Sequence, residues 1–316
     1  MTIRTFLFTI SFACIISGCD LLDDNNPKPE IPGKIVFSKI ENANGNAGTQ
    51  IYKMNTDGSG LKKLTNFNKN SAFEPSWSPD GSKIVFTTSK KSSVHSSSIY
   101  LMNADGSNKR PMKINDNEIG LPYTGRHPVW SPDGSKIAFE SGYSSIRVYD
   151  FEADSVTNVN NSWGAWDPAW SPDGSKLAFS TKAAYADSVR SGYYRDIYTI
   201  ELESGRLTRI TETGNAVEPK WSPDGRFISY QTAVGGVQAY LYDSETDSHK
   251  IILPDFRTSG GVQWSKDGTI LYIRASGYEK AADQSRFYKF SDGEYELIHI
   301  ELDPFKPTGG SYKWYN

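Results

Sequence analysis

The chain has two cysteines, four methionines and four histidines, and each scarcity removes a class of explanation. Cys14 and Cys19 both lie at the extreme N-terminus, so no disulfide framework holds the remainder together and its stability must come from burial. His95, His127, His249 and His299 are too few and too dispersed for a histidine-rich metal centre, and no metal or cofactor is implied. Formal net charge is -3, with lysine and arginine scattered along the chain, which argues against nucleic acid as a partner. No Gly-x-Ser-x-Gly nucleophile elbow occurs, which removes the corresponding hydrolase chemistry. Aromatic residues, by contrast, make up 13% of the chain, and with so little methionine this suits many short strands and polar turns: an all-β fold.

Met1, Thr2, Ile3 and Arg4 precede an apolar stretch from Thr5 to Ile16, and then come Ser17, Gly18 and Cys19. A charged start with an apolar core this short fits a secretion signal rather than a membrane span, which takes about 20 apolar residues. Ile16-Ser17-Gly18-Cys19 resembles a bacterial lipobox, in which the cysteine is acylated and becomes the mature N-terminus; an ordinary signal with an incidental cysteine is the alternative. The expected organisation is a lipoprotein signal peptide at 1–18, lipidated Cys19 with a flexible tether at 19–33, and one folded unit at 34–316. The tether is acidic and contains proline, a composition that forms no core, and its fourteen residues after Cys19 extend to at most about 50 Å. Several acyl chains anchor durably. The expected location is therefore the cell envelope, lipid-anchored to a bacterial membrane, the outer membrane at its periplasmic or surface face ahead of the inner. Acidic residues beside Cys19 resemble sorting signals of surface-exposed lipoproteins, whereas Asp20 also resembles an inner-membrane retention signal.

One pattern recurs through the rest: EPSWSPDGSKIVF from Glu74, HPVWSPDGSKIAF from His127, DPAWSPDGSKLAF from Asp167, EPKWSPDGRFISY from Glu218, and a weaker GVQWSKDGTILYI from Gly261. Trp77, Trp130, Trp170, Trp221, Trp264 and Trp314 are spaced 53, 40, 51, 43 and 50 residues apart, a period that indicates propeller blades. In each unit the Trp strand meets an Asp-Gly turn and then an apolar run, which reads as a hairpin; a third and a fourth strand follow. The unit opens at Lys34 with a second-strand sequence and ends in SYKW, a first-strand sequence. The two should pair in one blade, closing a six-bladed β-propeller of four-stranded blades and removing its open edges.

The WSPDGSKIVF-type repeat closely resembles that of TolB-like β-propeller proteins, over residues 34 to 316. Similar repeats occur in the propeller domains of prolyl-oligopeptidase-like peptidases and in oligogalacturonate lyases. TolB itself carries an additional α/β domain before its propeller, whereas only the tether precedes Lys34 here, so the resemblance does not extend to the Tol-system role. Fold alone does not fix activity.

Asp80, Asp133, Asp173, Asp224 and Asp267 invite a catalytic reading, but each occupies the same turn of its blade and is expected to be structural. The repeated tryptophans are expected to pack blade against blade. Three residues before each Trp stand Glu74, His127, Asp167, Glu218, Gly261 and Ser311. If these begin the innermost strands they ring one channel mouth, where three carboxylates and an imidazole suit a cation; the alternative is that each acid bonds backbone in its own blade. Propeller geometry places the Asp-Gly turns on one face and the long connections on the other. The long-loop face gathers Tyr123, Arg126, Trp163, Trp166, Tyr193 and Arg195, the residue types of binding hot spots, though loop aromatics also pack on their own blade. The chain enters at Lys34 on the short-turn face, which points the long loops away from the membrane. The expectation is a binding or scaffold protein, not an enzyme, recognising an envelope protein, peptide or glycan; the alternative is a metal-assisted polysaccharide lyase working at the channel.

Overall fold

The Trp-Ser-Pro-Asp-Gly-Ser-Lys segment closes a hairpin through its own side chains. Ser78 Oγ donates to Asp80 Oδ1 at 2.5 Å and accepts from Lys83 N at 2.9 Å, while Asp80 Oδ1 also accepts from Ser82 N at 3.0 Å. Gly81 follows at φ 67°, a conformation that favours glycine. The same arrangement recurs at Ser131/Asp133 and Ser171/Asp173, and Ser222/Asp224 and Ser265/Asp267 repeat its core. Hydrogen bonds from Ser78 and Ser82 hold the Asp80 carboxyl at about 2, and Asp133 and Asp173 are held at about 2 by the equivalent serines. These aspartates are turn-formers.

The computed structural model describes residues 33–43, 46–56, 58–68, 70–90, 93–114, 117–118, 125–142, 145–159, 164–182, 195–232, 238–252, 257–276, 284–302 and 312–315. Among them there is no helix. Six four-stranded antiparallel sheets form the blades. Blade 1 runs Tyr312–Tyr315, Lys34–Ala43, Asn46–Asn55, Lys62–Lys63 from its first strand to its fourth. Blade 2 runs from Asn70–Trp77 to Arg110–Pro111, blade 3 from Arg126–Trp130 to Ser155–Asn158, and blade 4 from Ala165–Trp170 to Leu207–Arg209. Blade 5 spans Ala216–Trp221 to Ser248–Ile252 and blade 6 Arg257–Trp264 to Glu294–Leu302. A small extra hairpin pairs Lys113–Ile114 with Asn117–Glu118. Ring closure is as the sequence indicated: Lys34 pairs with Tyr315, Ile35 with Trp314 and Phe37 with Tyr312.

The second strands are apolar on both faces because both faces are covered. Ile84 and Phe86 pack with Val36, Ile51 and Leu64 of blade 1, whereas Val85, between them, packs with Ile137 and Phe139 of blade 3. Trp170, Leu177 and Phe179 of blade 4 meet Ile146 and Val148 of blade 3. Comparable clusters join blades 4 and 5, 5 and 6, and 6 and 1. Even the turns interlock: a Cβ on Gly134 would lie 3.7 Å from Pro79 of the preceding blade, and Gly174, Gly225 and Gly268 face Pro132, Pro172 and Pro223 in the same way. The Pro-Asp-Gly turns thus abut around one face, the short-turn face. Lys34, opposite Asn55 at the start of a third-to-fourth-strand turn, lies on that face too.

Candidate functional site

Proline cannot donate to a strand ladder, and within sheets it is confined to edges, strand starts or bulges. Here the consequence repeats in four blades. Glu74, His127, Asp167 and Glu218, each preceding a proline, take φ of 56°, 47°, 57° and 54°, and the register of the first strand shifts at each. A left-handed non-glycine residue at a bulge is strained and re-aims its side chain. These residues lie within the first strands of blades 2 to 5, His127 being the second residue of its strand.

Within each blade the bulge residue meets the residue thirteen positions later, on the second strand. Glu74 Oε2 accepts from Thr87 Oγ1 at 2.8 Å, Asp167 Oδ2 from Ser180 Oγ at 3.1 Å, and Glu218 Oε2 from Gln231 Nε2 at 3.4 Å. Blade 3 reverses the roles: His127 is at the bulge and the carboxylate, Glu140, is on the second strand, Oε1 lying 2.7 Å from Nδ1 though off the line of a good hydrogen bond. In blades 2 and 3 the carboxylate also reaches across to the next blade's backbone. Glu74 Oε2 accepts from His127 N at 2.8 Å, and Glu140 Oε1 from Asp167 N at 2.8 Å. Glu74 and Glu140 thus bond beyond their own blades, whereas Asp167 and Glu218 accept from side chains within theirs; Glu140 was missed because only the bulge position was followed along the repeat.

Reversing the roles builds a charge cluster. His127 Nε2 lies 3.1 Å from Glu74 Oε1 and 3.8 Å from Asp167 Oδ1, and Arg126 Nη2 donates to Glu74 Oε1 at 2.9 Å. Burial alone would depress the imidazole; Glu140, Glu74 and Asp167 overcome that and push it up to about 10. Burial works against the Glu74 carboxylate as well, yet His127 and Arg126 bring it below the ordinary range. Three carboxylates face two cations, which leaves one unit of negative charge. Glu218 stands in blade 5 with Gln231, Gly261 belongs to the Arg257–Trp264 strand, and Ser311 lies outside the described residues. Blade 4 holds another carboxylate that the sequence did not single out: fully buried Asp196, bonded to Arg209 Nη2 at 2.7 Å, Thr211 Oγ1 at 3.0 Å and Gly214 N at 2.9 Å.

Above this cluster, at the long-loop end, the Arg195 guanidinium lies over the Trp166 ring at 3.9 Å and the Arg126 guanidinium over Phe73 at 5.9 Å. Arg126 is 47% exposed while its partner Glu74 is buried. The structure therefore brings together Arg126, His127, Glu74 and Asp167, with Trp166 next to Asp167 in sequence and stacked on Arg195. Tyr123, Trp163, Tyr193 and Cys19 lie outside the described residues.

The repeat architecture and its sequence match the TolB beta propeller domain model over residues 125–291, more than half of the chain. The chain belongs to the TolB beta propeller domain family. TolB from Acinetobacter baumannii superposes with a TM-score of 0.67 at 19% identity, over 90% of this chain and 67% of that one. A putative TolB from Agrobacterium tumefaciens gives 0.62 at 15% identity, over 91% of this chain and 100% of that one. Both likenesses are of fold. An uncharacterized peptidase of Bacillus subtilis (strain 168), YuxL, is 25% identical over 181 residues, 57% of this chain; the chain spans only 24% of that relative. The TolB-type ring is thus common ground, and the charge cluster and its stacked rim are features read from this chain.

Proposed function

We propose that this TolB-type propeller is a cell-envelope binding or scaffold protein, lipid-anchored through Cys19, that recognises a protein, peptide or glycan at its long-loop face. The observation carrying this reading is the Trp166–Arg195 stack at 3.9 Å beside the half-exposed Arg126. Stacked arginine and tryptophan on a rigid scaffold present aromatic area and directed donors at little entropic cost, as binding hot spots do. The ion pairs beneath hold Arg126 in place, since it is tied to Glu74, which in turn holds the backbone of His127. Acylation of Cys19 would tether the chain on the short-turn side and leave the long-loop face free.

Capture from native envelopes by wild type beside a Trp166→Ala, Arg195→Ala double variant tests the reading. A partner retained by wild type and lost by the variant supports it; equal capture moves the site elsewhere. A second reading, a metal-assisted lyase, draws on His127, Glu140 and Asp167, whose donor atoms lie within 4.8 Å of one another. A metal there must displace the proton that the carboxylates hold on His127. Stoichiometric metal retained through dialysis would favour that second reading.

A further inference from the structure

The third-to-fourth-strand turns on the short-turn face are sharply divided by charge. In blades 3 to 5 they are acidic, with Asp150, Glu152 and Asp154, then Glu201 and Glu203, then Asp243, Glu245 and Asp247, of which Asp150 pairs with Lys136, Glu201 with Arg206, and Asp243 and Glu245 with Arg226. In blades 1 and 2 the turns are followed by Lys62-Lys63 and Lys109-Arg110. Lys53 Nζ reaches across to Ala104 O at 2.9 Å and Lys62 Nζ to Asp105 O at 3.1 Å, so the two basic turns form one surface. Lys34 and Lys62 stand close enough to Lys53 to reinforce burial in lowering its pKa. Lys83 and Arg110 continue the surface along a depression of about 390 Å³ whose floor includes Leu101, Trp130 and Phe151. Leu61 on the blade 1 turn is 39% exposed, while Phe151, stacked on Trp130 at 5.4 Å, lies between Asp150 and Glu152 on the acidic blade 3 turn. Among the described residues Asp105 and the turn-forming Asp80 and Asp133 lie alongside this surface, the last two bound by their own serines; Lys63 is paired with Glu41, and Asp150 and Glu152 flank Phe151 at the far edge of the depression.

We propose that this rim of blades 1 and 2 seats on anionic lipid headgroups, with Leu61 entering the interface and the acidic rim of blades 3 to 5, which carries Phe151, tilted away. Clustered cations beside an exposed apolar side chain match the surface of an anionic bilayer. The chain also begins its first described strand here, at Lys34, separated from the proposed acylation site by fourteen residues. The proposal rests on the anchored reading above, because only a tethered propeller holds this rim at a membrane. The rim would then supplement the acyl anchor and fix the tilt at which the long-loop face is presented.

The test uses residues 20–316, which contain every strand of the ring and lack the acyl group, with vesicles of phosphatidylcholine alone or with phosphatidylglycerol added. Wild type should sediment with the anionic vesicles only and be released by salt. A Lys34→Glu, Lys62→Glu, Arg110→Glu variant should lose about a hundredfold in partitioning, at about fivefold per cation. A Leu61→Ser variant, whose charges are intact, should bind more weakly at every salt concentration. Near-UV circular dichroism establishes that each variant is folded. No binding by wild type, equal binding to both vesicle types, or unchanged binding by the folded charge variant overturns the proposal, as does binding of soluble acidic glycan without vesicle binding. Mass spectrometry of Cys19 in protein purified from membranes separately reads the anchor, so its failure is distinguishable from failure of the rim.

Discussion

Replacing Glu74 with glutamine keeps the shape of a buried side chain and removes its charge, leaving Arg126 and His127 each short of a carboxylate. Three hydrogen bonds end on that carboxylate, from Thr87, His127 N and Arg126, and His127 Nε2 lies 3.1 Å away. Breaking a fully buried charge pair costs about 3–5 kcal/mol. Arg126 and His127 are 47% and 33% exposed, so solvent screens part of this, and about 2–3 kcal/mol is expected. At about 2 °C per kcal/mol for a chain of this length, the melting temperature at pH 7 should fall by about 4–6 °C. The pH dependence is more specific. Glu74 has a lowered pKa, so its contribution is present above the ordinary value of 4.5 and is lost as pH falls through the folded value. His127 is raised from 6.5 to about 10, so its contribution is full below 6.5 and is lost as pH rises through about 10. The gap between wild type and Glu74→Gln should therefore be widest between these limits, close toward acid, and narrow toward alkali, where the Arg126 pair with Glu74 persists. Calorimetry from pH 3 to 10.5 reads it. A Glu74→Gln protein melting within 1 °C of wild type at pH 7, or a gap independent of pH, would refute the reasoning.

Removing residues 311–316 takes away the strand paired with Lys34–Phe37 and opens the ring; the truncated chain should lose the single cooperative melt, seen by calorimetry. Phe179→Ala, at a site with no exposure between blades 3 and 4, should cost about 3–5 kcal/mol in denaturant unfolding. Gly134→Ala and Gly106→Ala both force alanine to positive φ, 73° and 89°, but only at Gly106 would the new Cβ come within 3.0 Å of a backbone oxygen, that of Leu64. Gly106→Ala should be the more destabilised of the two, and the reverse order would contradict the turn geometry.

The blades could be read from the sequence because the repeat carries its own physics. Serine, proline, aspartate and glycine close the hairpin locally, and the apolar run is continuous because each blade is covered on both faces. Ring closure was legible from the two incomplete blade sequences at the ends. The candidate site was legible in part. The residues before the prolines were visible as a set, but the left-handed backbone that turns them was not, since a residue before proline ordinarily favours an extended conformation. Glu140 had a signal that went unused: at the position ten residues after Trp, neutral Thr87, Ser180 and Gln231 stand in three other blades, and the carboxylate appears in the blade whose bulge residue is His127. Asp196 had none, because its partners Arg209, Thr211 and Gly214 come together only when the third and fourth strands of blade 4 pair.

The most direct test of recognition at the long-loop face is photocrosslinking in intact cells, with benzoylphenylalanine placed at position 166 in one strain and at position 133, on the short-turn face, in another. One reproducible macromolecular adduct from position 166 and none from position 133 is the expected result; the same adduct from both, or from 133 alone, would contradict it.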